Sequence, residues 1–167
     1  MAAFILKPGD IFCAANPMML GRLINFVQKL KSKDNQSEYS HAGIILTTEG
    51  ETFEALWKNG KQNLFEAYKG KKVLVGRHIA MDTERFQAGW EGVQKHEGKW
   101  YAGHRLLLHL IPLASKLSLG LAVCSEIVMK FLCKAGLATT WAGWNPDNVA
   151  DMIHNYRDYI TIFEGEL

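Results

Sequence analysis

Apolar and polar positions follow two different periods along this chain, and the change comes near residue 82. Ahead of it, short apolar runs stand between turn residues, which is the signature of strands. "PGDIFCAA", residues 8–15, predicts a turn and then a short strand. "SHAGIILTT", residues 40–48, predicts a second strand and "TEGE" the turn after it. "TFEALWKNG", residues 52–60, then closes a hairpin with that strand. "NLFEAY" and "KKVLVGRHI" predict two further strands, with Gly70 punctuating between them. One early stretch differs: Met19, Leu20, Leu23, Ile24, Val27 and Leu30 recur at helical spacing behind Pro17, a residue suited to a first helical turn.

From residue 82 onward the period is helical. "DTERFQAGWEGVQKHEG", residues 82–98, predicts a helix capped by Asp82 or Thr83. "CSEIVMKFLCKAG", residues 124–136, predicts the strongest helix in the chain. Its Ile127, Val128, Phe131 and Leu132 share one face, and Gly136 sits where a C-terminal cap belongs. "NPDNVADMIHN" predicts a short helix opened by Asn145 and Pro146, and "YITIF" a closing strand. Strands first and helices after them imply an α+β fold, an antiparallel sheet or small barrel packed against helices. With no repeat or linker, the 167 residues predict a single domain, 1–167.

Composition narrows the function classes. Hydrophobic residues at 48% support a packed core, and a net charge of +2 is too weak to argue for nucleic acid. The basic run "KLKSKD" reads as a solvated helix end. Cys13, Cys124 and Cys133 are too few for a disulfide framework and lack zinc spacing, so neither a metal nor a cofactor is expected. The apolar stretch 106–123 carries His109, Pro112 and Lys116, whereas a membrane span needs about 20 apolar residues. It predicts a buried or lid-like segment, with peripheral lipid contact as the sharper alternative. "MAAFILKPGD" does not read as a signal peptide, which predicts a chain that is cytoplasmic on synthesis, with release or export by another route left open.

The candidate chemistry centres on "YSHAGIIL", where the small residues Ser40, Ala42 and Gly43 flank His41 and leave room for another group to approach the ring. Cys124 opens the strongest helix, where unpaired N–H groups and the helix dipole favour a thiolate. A nearby imidazole would favour the ion pair further. Glu54 lies 13 positions after His41, across the predicted hairpin, where a carboxylate can orient the ring. Glu66, in "LFEAY", repeats the local pattern and competes for that place. Cys13 and Cys133 read as core, Asp10 as support for the first turn, and Glu126 as a helix N-terminal acid. Trp141 and Trp144 are candidates to flank a groove or pack as a lid.

These residues resemble the circularly permuted, NlpC-type papain-fold cysteine hydrolases, and most closely the YiiX-like group. "PGDIF", "YSHAGIIL", "FEAL" and "VCSEIV" carry the resemblance, with "NPDNVADM" as a weaker match. The order here is His, Glu, Cys, whereas unpermuted papain-like enzymes run cysteine first, and this order implies the permuted topology. The resemblance implies a Cys124-His41-Glu54 triad that cleaves an amide, with cell-wall peptide as the leading substrate. Tyr101 stands where relatives have a tyrosine ahead of the cysteine, a candidate for oxyanion or pocket contact, although Ala102 replaces the usual acid after it. Ser40 and Trp144 are further candidates for substrate contact. Two alternatives stay open: a lipid-directed acyltransferase or hydrolase, as in the related lecithin retinol acyltransferase group, and a catalytically silent binding module. The first is favoured by residues 106–123, but "VCSEIV" lacks that group's asparagine-cysteine-glutamate signature.

Overall fold

The computed structural model describes residues 4–15, 38–55, 58–99 and 123–167. The predicted helix at 17–32, Tyr101 and all but the last residue of the apolar stretch 106–123 lie outside them.

The elements run β1 (Ile11–Ala14), β2 (His41–Ile45), β3 (Glu51–Ala55), β4 (Asn59–Asn63), α1 (Leu64–Ala67), β5 (Lys72–His78), α2 (Thr83–Gln94), α3 (Val123–Lys134), α4 (Pro146–Asn155) and β6 (Tyr159–Glu166). All six strands join one antiparallel sheet in the order β4-β3-β2-β1-β5-β6. The fold is α+β, as the change of period implies. The β2–β3 hairpin turns through Gly50, whose φ of 87° suits a residue without Cβ. Its register puts Gly43 opposite Glu54.

Alternation along the strands divides the interior in two. Ile11, Cys13, Ala42, Ile44 and Phe53 face Ile127, Val128, Phe131 and Leu132 of α3 and Val149, Met152 and Ile153 of α4. Phe12, Ala14, Ile45, Val73 and Val75 form a second core with Leu6, Leu64 and Tyr68. The apolar face predicted for α3 is thus the face that holds it on the sheet. Asp82 caps α2 through the N–H of Arg85 at 2.8 Å, and a reciprocal Asn145–Asn148 pair caps α4.

Two expectations change. "NLFEAY" is not a strand: Asn63 accepts hydrogen bonds from the N–H groups of Phe65 and Glu66, so the chain turns into α1. The polar run "NGKQN" forms β4 instead, at an edge of the sheet. Cys133 is half-buried rather than core, whereas Cys13 is fully buried.

Candidate active site

His41 is the first residue of β2 and Cys124 the second of α3. The strand therefore presents the imidazole at its open end, and the helix presents the thiol among N–H groups that have no intrahelical acceptor. Glu54 stands on the neighbouring strand. The three side chains are almost wholly withdrawn from solvent, at 4% exposure for His41, 0% for Glu54 and 7% for Cys124.

The His41 Nε2 lies 2.8 Å from Glu54 Oε2. Tyr68 donates its hydroxyl to the same oxygen at 2.6 Å, and Thr52 donates to Glu54 Oε1 at 2.5 Å. With Nε2 committed to the carboxylate, Nδ1 is the nitrogen left for Cys124. Glu66, the competitor for this place, is exposed on α1.

The electrostatics follow from this packing. Burial opposes the charge on His41, but the adjoining Cys124 sulfur and the Glu54 carboxylate outweigh it and push the imidazole from 6.5 up to about 10. Burial likewise opposes ionisation of Cys124. The charge and hydrogen bond of His41, with the N–H groups of Ala42 and Ser125, bring the thiol below its ordinary value. Burial works against the Glu54 carboxylate too, yet His41, Thr52 and Tyr68 hold it below the usual range. A thiolate and an imidazolium, backed by a carboxylate, is the charge state these contacts favour. Cys13 differs: burial and then the negative charge of Cys124 push its thiol well up, and it donates to the Pro146 carbonyl at 3.5 Å.

Ser40 is buried and donates its N–H to the Ala14 carbonyl at 3.1 Å, which fixes the chain one residue ahead of His41. The N–H of Tyr39 donates to Asp147 on α4 at 3.1 Å. Ser125 donates to the Trp144 carbonyl at 2.9 Å. Trp144 is partly buried against the helix-side core and lines an open cavity of about 400 Å³ with Asn148, Asp151, Met152 and Tyr156. Trp141 stands at the surface with Lys130 Nζ 4.2 Å from its ring centroid. Asp10 accepts from the N–H of Lys7 at 2.8 Å and from Arg77 Nε at 2.7 Å, supporting the turn into β1.

Thr52 and Tyr68 escape a search for candidate site residues in the sequence. Thr52 was within reach of it, since a strand places residue 52 on the same face as residue 54. Tyr68 follows a turn of helix that the sequence reads as strand. Among the described residues, no cluster of three or more His, Cys, Asp or Glu side chains is placed to hold a metal, and no helix is long and apolar enough to cross a membrane. Comparison with protein-family models and with curated proteins gives no match to this chain.

Proposed function

We propose that this chain is a thiol hydrolase that cleaves an amide through Cys124, His41 and Glu54. The observation that carries the reading is the buried hydrogen-bonded set of helix-terminal thiol, imidazole and carboxylate. A cysteine at a helix start, depressed by a paired histidine, is the usual form of an activated thiol nucleophile.

The steps balance within these residues. The Cys124 thiolate attacks the carbonyl carbon; a C–S bond forms and the carbonyl π pair moves to oxygen. The Cys124 N–H, near the start of α3, is the natural donor to that oxyanion. The intermediate collapses to a thioester as the C–N bond breaks, and the imidazolium of His41 gives its proton to the leaving nitrogen. Neutral His41 then takes a proton from water as the water attacks the thioester. The carboxylic acid leaves and the ion pair is restored. Glu54 holds the ring and its charge throughout.

The sequence motifs support the same reading. Their resemblance to permuted papain-like hydrolases of the NlpC type makes a peptide amide the leading substrate, with cell-wall peptide first. A second reading, a lipid-directed acyltransferase or hydrolase, draws on the apolar stretch 106–123 directly before Cys124. Peptide amides and phospholipid vesicles, offered in parallel, separate the two.

The first test is the pH dependence of Cys124 alkylation by iodoacetamide, followed by mass spectrometry so that Cys13 and Cys133 are counted apart. An ordinary thiol, with a pKa near about 8.5, is only about 1% ionised at about pH 6.5. Wild-type Cys124 is expected to react there at least about tenfold faster than in His41→Ala. A slow reaction, equal in both proteins, would remove the dyad and leave the silent binding module.

A further inference from the structure

We infer that Tyr68 is a positioning residue of this site, which with Thr52 donates to the Glu54 carboxylate and so fixes the ring nitrogen that His41 turns to Cys124. Its catalytic meaning rests on the hydrolase reading above; the hydrogen-bond relay itself does not.

Tyr68 touches both partners of the pair. Its hydroxyl donates to Glu54 Oε2 at 2.6 Å, the oxygen that His41 Nε2 also meets. Its ring lies over the imidazole, with centroids 6.1 Å apart and planes 19° from parallel. Phe12 wedges against it edge-on, with centroids at 5.3 Å. One side chain therefore limits both the rotation of the carboxylate and the tilt of the histidine.

The donor count makes the assignment chemical as well as steric. Tyr68 and His41 both meet Oε2, and an oxygen that accepts twice is best supplied by the carboxylate anion, while the Thr52 hydroxyl is shared between Oε1 at 2.5 Å and the Gln62 carbonyl at 3.3 Å. Nε2 must then carry the proton in that bond, and Nδ1 remains for the sulfur. Burial, and next the charge of Glu54, push the phenol of Tyr68 far above its ordinary range, so it stays a neutral donor. The ionisable groups acting on Glu54 are His41 on β2 and Tyr68; Lys71 has its Nζ 5.3 Å from the Tyr68 ring centroid, and the charge of Cys124 on α3 acts on Tyr68.

The test is the titration of the Glu54 side-chain carboxyl by carbon-13 NMR, assigned with Glu54→Gln, in wild type and Tyr68→Phe. Phenylalanine keeps the ring over His41 and removes only the donor. Loss of one hydrogen bond to the charged form is expected to raise the Glu54 midpoint by about one pH unit or more. The His41 Nε2–H resonance should disappear at a correspondingly higher pH on acidification. Incorporating 3-fluorotyrosine at position 68, a more acidic phenol and a stronger donor, is expected to lower the midpoint. An unchanged midpoint in Tyr68→Phe, with the backbone amide spectrum intact, overturns the inference. If Tyr68→Phe does not fold, an unchanged midpoint with the fluorinated side chain overturns it instead. Cys124 alkylation in the same samples separates the two claims. A slow, His41-independent thiol overturns the hydrolase reading while the relay stands. A fast, His41-dependent thiol with an unmoved Glu54 midpoint overturns only the role of Tyr68.

Discussion

Gly43 stands opposite Glu54 in the hairpin, and its missing side chain lets the acid and the Phe12 ring close up beneath His41. A Cβ at this position would lie 2.4 Å from Phe12 Cε1 and 3.0 Å from Glu54 Cγ. Phe12 is fully buried and has nowhere to retreat. Gly43→Ala is therefore expected to destabilise the fold by about 1–3 kcal/mol, seen as a lower urea midpoint at unchanged slope, and to slow Cys124 alkylation. Small residues around His41 were legible as room beside the imidazole; the structure fills the room at Gly43 with an aromatic ring and the acid. His41 and Glu54 could be paired from the sequence because a hairpin of known turn fixes which residues meet. Tyr68 could not, because no local rule links residue 68 to a strand that ended at residue 55.

At the scale of elements, the chain was legible wherever one period ran long enough. α2, α3 and α4 fall where helical spacing and caps put them, and β1, β2, β3 and β5 where apolar runs lie between turns. The misread segment is 59–68. Its first half has too few apolar residues to show alternation, yet it pairs with β3 as an edge strand. Its second half is too short to show a helical period and is held by its cap. A four-residue helix has no stability of its own, so α1 depends on Asn63 and on burial of Leu64. Asn63→Ala is expected to cost about 1 kcal/mol. Amide exchange at Phe65 and Glu66 should speed up while α2 keeps its protection. Because the Tyr68 N–H closes α1 on the Leu64 carbonyl at 3.0 Å, the same substitution should also broaden the Tyr68 ring signals.

At the scale of the molecule, the sequence reaches the α+β class but not the strand order. β1 lies between β2 and β5, and the β1–β5 pairing joins segments about sixty residues apart, beyond any hairpin rule. That pairing makes the sheet continuous beneath α3 and α4, and on its other face Phe12 of β1 and Tyr68 pack about Glu54. Burial couples the site to the stability of the whole chain, and the sign of the coupling follows from the direction of the shift. Glu54 is held below its ordinary 4.5, so around that pH the group binds fewer protons in the folded chain than in the unfolded one. Its contribution is complete above pH 4.5 and is lost as pH falls through the lowered folded value. His41, raised to about 10, stays protonated across that interval and does not offset the loss. Glu54→Gln leaves a buried imidazolium without its carboxylate, which should cost about 3 kcal/mol near neutral pH. Urea midpoints measured from pH 7 downward are expected to start well apart for wild type and Glu54→Gln. They should draw together below pH 4.5, because only the wild type still has a carboxylate to lose. Parallel curves through that range would mean that Glu54 titrates alike in the folded and unfolded chain, and the stabilisation of its charge by His41, Thr52 and Tyr68 would go with it.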